Sequence, residues 1–417
     1  MPTDDVVTVP LTDQRDMTGV ARKGVSASGD VRDGTTRAAD AGALPDYRVV
    51  QELRDRVSTR LTAEDNDYPP AVRRELTRKL IADEFALWQL SSREFSASRP
   101  VLNVRLRGVT ELGARLQAAM DVLPRPAGVI RVHRFADPGL AELRDMPTSM
   151  IDTPMHAFLH HAVTAGASML VAGNPGVGKT TLLRALGNTI GYQHVVVTVE
   201  DERELGLHLP RWDEATGRLT RRQAVCRSYE SRLPNSEGMG GFDMSGALHE
   251  ALRMSPTWVI VGEVRGSYVM ALIEAATSGI ASVMCTIHAR TAQSVFKKVL
   301  INARKASPAP DPSLVMDSLA ELDLVIEVRR DVHYHRFVSG IYELGEVGDS
   351  GQPALTPIFA PAPGSPDGRP VARGAGALSD DLRGRLVAVG FDAERWLNPA
   401  RVKPDWRIAE RERGVAW

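Results

Sequence analysis

The run Gly173-Asn174-Pro175-Gly176-Val177-Gly178-Lys179-Thr180-Thr181 has the residue types and spacing of a loop that grips phosphate, Gly-x-x-x-x-Gly-Lys-Thr. Glycines let backbone N–H groups turn inward around phosphoryl oxygens, and a helix N-terminus adds partial positive charge. On this pattern Lys179 is expected to reach the β- and γ-phosphates of ATP, and Thr180 to offer a hydroxyl to Mg2+. The flanks agree with the motif. Met169-Leu170-Val171-Ala172 before it is strand-like, and Leu182-Leu183-Arg184-Ala185-Leu186 after it forms helix readily, whereas a chance glycine turn would need neither.

Hydrolysis also needs an acid that primes water across from the phosphates. Trp258-Val259-Ile260-Val261-Gly262-Glu263 supplies one at a strand tip, and Glu263 is the expected general base or water-positioning residue; the bland alternative is a solvated carboxylate after a strand. A strand from His194 to Val199 ends in Glu200-Asp201-Glu202-Arg203-Glu204, which makes Glu200 and Glu204 candidates to help hold the metal with Thr180. Such a charge cluster is also what an ordinary solvated turn looks like. A strand from Ser282 to Ile287 delivers His288 to the same sheet edge, as a catalytic or a structural histidine. Arg227, Arg232 and Arg265 have the planar charge that suits a γ-phosphate, in the same subunit or from a neighbour, although arginine is abundant in this chain and any one of them reads more readily as a surface charge.

These residues require a sheet whose strand ends converge. From about Ile151, short β-rich runs alternate with helix-length segments: Ser168 to Ala172, His194 to Val199, Trp258 to Gly262, Ser282 to Ile287 and Leu322 to Val328. Their near-continuous apolar character is that of strands buried on both faces. The expected fold is an α/β, RecA-like P-loop domain with a mainly parallel, doubly wound sheet over residues 149–345. A small, abbreviated α/β domain is expected before it, over residues 46–148. Val50, Leu53, Val57 and Leu61 recur at helical spacing, Pro69-Pro70 breaks the chain, and Val72, Leu76, Leu80, Phe85 and Trp88 line one face of a second helix. Val104 with Leu106, and Val129 to Phe135, read as short strands around a helix. Residues 1–45 lack Ile, Phe, Tyr and Trp and are expected to be a disordered tail. Residues 346–417 read as a Pro/Gly-rich linker, Pro353 to Gly376, and a helical tail around Asp380 to Trp396.

A length of 417 residues with 43% hydrophobic content can form two cores. The formal net charge of -1 gives no global attraction to nucleic acid or anionic lipid, so any DNA or membrane contact would have to be local, and no nucleic acid is expected as a partner. Cys226 and Cys285 are too few for a disulfide framework or a four-ligand zinc site and suit a reducing cytosol as small apolar residues. The start Met1-Pro2-Thr3-Asp4-Asp5 carries acidic charge where a secretory signal needs basic charge. The longest apolar stretch, Ala271 to Ala289, contains Glu274, so no membrane span is expected.

Taken in order, Gly173 to Thr181, Val199-Glu200-Asp201-x-x-Glu204-Leu205, Ala251-Leu252-Arg253-Met254-x-Pro256, Val261-Gly262-Glu263-Val264-Arg265-Gly266 and Thr286-Ile287-His288-Ala289 resemble the type II/type IV secretion ATPase superfamily. The resemblance is greatest to its CpaF-type branch, which powers tight-adherence (Flp) pili, and it covers roughly residues 100–345; Leu322-Asp323-Leu324-Val325 also looks like that branch. It implies a homohexameric ring of two-domain subunits at the cytoplasmic face of the inner membrane, passing motion to integral membrane platform proteins. It further implies Lys179 and Thr180 as phosphate and Mg2+ ligands, Glu263 as the Walker B glutamate, Glu200 and Glu204 as members of the Asp box, His288 as the His box, and Arg232 as an arginine of the segment before Walker B. This chain departs at three places. Ser228 stands where a further arginine is expected, with Arg227 beside it; His133 or Arg134 falls at another such position near Arg131; and the stretch between Trp88 and Val104 is short.

The leading expectation is thus an ATPase motor for secretion or pilus assembly. The alternative is a RecA-like ATPase in DNA transfer or recombination, against which stand an aromatic content of 5% and the near-neutral charge. A third reading, a nucleotide-binding assembly module with little turnover, is motivated by the displaced arginines and opposed by Lys179, Glu263 and His288.

Overall fold

A computed structural model describes residues 5–10, 101–106, 114–119, 127–132, 138–209, 225–232, 234, 239–277, 279, 281–362 and 367–408. The chain divides into two compact units, residues 1–135 with 234–241, and residues 136–233 with 242–417. The helices expected over Val50 to Leu61 and Val72 to Trp88 lie outside the described residues.

The described part of the first unit is a four-stranded antiparallel sheet in the order β1-β4-β3-β2, with β1 Asp5–Pro10, β2 Val101–Leu106, β3 Ala114–Ala119 and β4 Ala127–Val132. Two expectations differ here. The segment between the outer strands forms β3 rather than a helix: Ala114 to Ala119 pairs residue for residue with both neighbours, and tertiary pairing overrides the helix propensity of an Ala-rich run. Asp5–Pro10, within the expected tail, pairs with Ala127–Val132. Its Val6, Val7 and Val9 are β-branched and stiff at χ1, which favours a strand even in a polar neighbourhood.

The second unit is built on a nine-stranded sheet in the order β13-β12-β11-β10-β5-β9-β8-β6-β7. Strands β10 (Leu324–Arg330), β5 (Met169–Ala172), β9 (Ser282–Ile287), β8 (Trp258–Val264), β6 (Val195–Glu200) and β7 (Val225–Glu230) are parallel. Side chains alternate across these strands, so each feeds two cores. Met169 and Val171 of β5 enter one, with Ile260 of β8 and Met284 of β9; Leu170 and Ala172 enter the other, with Val259, Val261 and Cys285. The first core is closed by α1 (Leu140–Asp145), α2 (Thr153–Thr164) and α3 (Lys179–Thr189), the second by α4 (Met244–Leu252), α5 (Val269–Thr277), α6 (Ala292–Ala303) and α7 (Pro312–Ala320). Each large apolar side chain buried this way contributes about 1.5–3 kcal/mol. Cys285 is fully buried, as expected, while Cys226 is half-buried.

Most of these helices start on a side-chain cap that stabilises by about 1 kcal/mol each. Asp152 accepts from Met155 N at 3.0 Å, Asp243 from Gly246 N at 2.7 Å, and Thr291 from Ser294 N at 3.2 Å. Helix α3 starts instead at Gly178, with φ 97° and no side-chain cap, so its first amides stay available to a ligand.

The described residues of the segment expected as a linker are structured. After β11 (Arg336–Val347), Pro353–Pro361 and Pro370–Ala372 form β12 and β13, which continue the sheet antiparallel. Prolines are tolerated because β13 pairs only with Phe359, Ala360 and Pro361, leaving Pro353 and Pro357 on an edge that needs no donor. Ile358 and Phe359 are fully buried, and Leu382, Leu386, Phe391 and Leu397 of the following α8 (Asp380–Ala388) and α9 (Ala393–Trp396) region complete the first core.

Candidate nucleotide site

Strands β5, β9 and β8 are adjacent and parallel, so their C-terminal ends share one edge of the sheet. From β5 the chain runs into Gly173–Thr181, where Asn174, Pro175 and Gly176 are exposed, Val177 is buried, and Thr180 and Thr181 are partly buried. Glycine is required at three positions of the loop. A Cβ on Gly173 would stand 2.6 Å from Val328 O, Gly176 lies in the left-handed region at φ 73°, and Gly178 occupies the same region where the loop enters α3.

Lys179, only 6% exposed, points back over this loop. Its Nζ donates to Asn174 O at 3.0 Å and to His288 Nδ1 at 3.1 Å. His288, just past β9, places Nε2 2.8 Å from Glu263 Oε1. An ammonium only donates and a carboxylate only accepts, so this arrangement fixes a tautomer with the imidazole proton on Nε2. Arg265 completes the series, its Nε and Nη2 bound to the two oxygens of Glu263. The turn holding Glu263 is pinned twice: Tyr268 OH donates to Glu263 O at 2.6 Å and accepts from Arg265 N at 2.6 Å, while Thr286 Oγ1 donates to Gly262 O at 2.7 Å.

The electrostatics follow from this geometry. Burial pulls Lys179 down to about 8, partly opposed by the Glu263 charge, which eases its transfer to a more anionic partner. Glu263 is raised by burial but lowered more by hydrogen bonds from His288 and Arg265, to about 2. A carboxylate held that low is a weak proton acceptor at neutral pH, so of the two roles expected for Glu263 the geometry favours positioning water over abstracting a proton, unless Arg265 is first drawn off.

The acidic loop behaves differently from expectation. Glu200 is 2% exposed, and its Oε1 accepts from Glu204 N at 2.9 Å and Leu205 N at 2.8 Å. Burial raises its carboxyl to about 7. It folds the loop back on itself rather than offering charge to a metal, because Glu200 is the last residue of β6 and the buried pattern of that strand runs through it. Arg184 of α3 ties the same loop to the phosphate helix, donating Nε to Leu205 O at 2.9 Å and Nη2 to Glu204 O. Glu204 thus lies near enough to Lys179 for their charges to interact, while Asp201 accepts from Ser231 Oγ at 3.1 Å. Among the described residues there is no group of three or more acidic, His or Cys side chains able to hold a cation alone. A Mg2+ at the expected position would need phosphate oxygens beside a protein donor such as the Thr180 hydroxyl.

Arg232 is not placed with this network. It forms an isolated backbone bridge with Phe242 beyond β7, at the sheet edge, with β6 between β7 and the Glu263 strand. At Ser228, where an arginine is expected, a guanidinium arrives from elsewhere: Arg203 donates Nε to Ser228 Oγ at 3.2 Å and Nη2 to Ser228 O at 2.9 Å. Arg184, Arg203 and Tyr268 were not singled out by sequence. A cation inside the apolar run Leu182 to Leu186 was the available signal for Arg184; nothing local marks the other two.

The family model described as Type II/IV secretion system protein matches residues 84–303. Among curated relatives, a Mycobacterium tuberculosis chain named for conjugal transfer is 30% identical over 319 residues, 74% of this chain and 83% of its own length. The type IV secretion system protein PtlH of Bordetella pertussis is 33% identical over 176 residues, 42% of this chain and 48% of its own length, so the present chain spans about half the length of that relative. Among solved structures, the Legionella pneumophila ATPase DotB matches with a TM-score of 0.43 at 15% identity, over 78% of this chain and 73% of its own. Since the matched region exceeds half of the chain and takes in the phosphate loop, Glu263 and His288 together, the chain belongs to the type II/IV secretion system protein family.

Proposed function

We propose that the chain binds Mg-ATP at Gly173–Thr181 and hydrolyses it to drive protein secretion or pilus assembly. The observation that supports this most is the continuous polar series Asn174–Lys179–His288–Glu263–Arg265 along one sheet edge. Entering phosphates would take Lys179 away from Asn174 O and His288, and the loop amides with the start of α3 would surround them. Release of Lys179 frees His288 Nδ1, so the state of the phosphate site is transmitted through one imidazole to Glu263, which then orients water. Thr180 and phosphate oxygens would hold Mg2+, whose charge offsets that developing on the transferred phosphoryl group.

The finer assignment is a homohexameric, CpaF-type motor that is peripheral at the inner face of the cytoplasmic membrane and works on integral membrane platform proteins. The order of motifs supports it, and no helix among the described residues is long and apolar enough to cross a membrane. Steady-state phosphate release tests the chemistry. Wild type should turn over, Lys179→Ala should lose binding or turnover, and Glu263→Gln should bind ATP and scarcely hydrolyse it; wild-type turnover no better than that of Glu263→Gln would remove the motor from consideration. A second reading, an ATPase acting in DNA transfer, draws on the relative named for conjugal transfer. Salt-dependent binding of single-stranded DNA that stimulates turnover would favour it.

A further inference from the structure

Strand β10 pairs with the phosphate-loop strand only as far as Glu327 opposite Ala172, then runs on through Val328, Arg329 and Arg330. The loop rests on this extension, since Gly173 faces Val328 O too closely for any Cβ. The chain then turns. Asp331 Oδ1 accepts from His333 N and His335 N, each at 2.9 Å, and its Oδ2 lies 3.1 Å from His335 Nδ1. Strand β11 returns from Arg336, whose stem lies against the last glycine of the loop: its Cδ is 3.3 Å from where a Cβ of Gly178 would be. Met150 Cε lies 3.4 Å from that same point, and the Met150 carbonyl accepts Val338 N at 2.9 Å, which ties the start of β11 to the residue beside Gly178. Arg330 stands directly opposite Arg336 in the ladder, and opposed residues project from the same face.

The sheet order says which end of a nucleotide this cation meets. Glu263 and His288 come from β8 and β9 on one flank of β5, whereas β10 and β11 lie on the other flank. A group reaching Gly178 from the β11 side approaches the phosphates away from the acid and the imidazole, that is, away from the reacting γ-phosphate.

We propose that Arg336 is a nucleotide-binding residue acting within its own subunit, its guanidinium meeting the α- and β-phosphates of the nucleotide gripped by the loop. The proposal rests on the reading of Gly173–Thr181 as a nucleotide site. A planar fork suits two neighbouring phosphoryl oxygens better than a point charge does, and both ADP and ATP present them.

Titration of full-length protein with fluorescent ADP and ATP analogues in Mg2+ tests it, with wild type, Lys179→Ala, Arg336→Gln and Arg336→Lys. Arg336→Gln keeps the stem against Gly178 and removes the guanidinium, and its unfolding midpoint without nucleotide separates a loss of stability from a loss of binding. Its affinity for both nucleotides should fall by about tenfold or more, as for loss of a charge-assisted hydrogen bond, with partial recovery in Arg336→Lys. Wild-type affinity for both nucleotides in Arg336→Gln, alongside failure of Lys179→Ala, would overturn this proposal and leave the loop assignment standing. Weakening for ATP alone would also overturn it, by moving Arg336 to the γ-phosphate. Failure of wild type to bind either nucleotide would remove both assignments. If Arg336→Gln does not fold, Arg336→Lys decides: weaker binding of both nucleotides supports the proposal, and unchanged binding overturns it.

Discussion

Replacing Glu200 by Gln separates a loop anchor from a metal ligand. In the folded chain burial raises this carboxyl to about 7 from its ordinary 4.5, and its Oε2 is buried without a hydrogen-bond partner. The folded state therefore holds the proton more tightly than the unfolded chain between those two values. The stabilisation from protonated Glu200 is fully present below about pH 4.5 and is lost as pH rises through about 7. Integrated from pH 5 to pH 8, that loss is about 2.5 kcal/mol. Glutamine keeps an oxygen for the amides of Glu204 and Leu205 and carries no titrating proton. Urea unfolding of wild type and Glu200→Gln across this range, followed by tryptophan fluorescence, should show glutamine gaining on wild type by about 2.5 kcal/mol between pH 5 and pH 8. Parallel profiles would mean that Glu200 titrates as a solvated acid facing the crevice, and the anchoring role would fall.

Removing the guanidinium from Glu263 with Arg265→Leu should let its carboxyl rise from about 2, so the acidic limb of the turnover profile moves to higher pH; an unmoved limb would show that Arg265 does not hold the acid during turnover. Gly173→Ala must push its new methyl against Val328 O and Val177, and should lose about 2 kcal/mol of stability, read as a lower thermal midpoint. Arg184→Met keeps the stem of that side chain but removes its bonds to the carbonyls of Glu204 and Leu205. The variant should be cut faster by protease within 201–209, while unchanged cleavage would show that Glu200 alone holds the loop.

The parallel sheet was legible because its strands are buried on both faces: unbroken runs such as Trp258 to Val261 leave few alternatives to a strand between helices. The phosphate loop was legible because backbone geometry there demands glycines at fixed spacing, and Gly173 and Gly178 meet that demand. What sequence could not convey was direction. Glu200 and Glu263 both sit at strand tips, but one side chain turns into the core and the other into the crevice, a difference of one step in strand alternation. Ala114–Ala119 misled because helix propensity is local and strand pairing is not. The C-terminal strands misled because prolines on an edge read like prolines in a linker. The reach of Arg265, Arg184 and Arg203 depends on side-chain paths that no spacing rule encodes.

The account turns on a triphosphate being gripped by loop amides and Lys179. Calorimetric titration of the full chain with ATP and Mg2+ measures that grip directly. Saturable binding by wild type, weakened at least tenfold in Lys179→Ala, is the predicted result. No binding by folded wild type, or equal affinity in the two proteins, would contradict it.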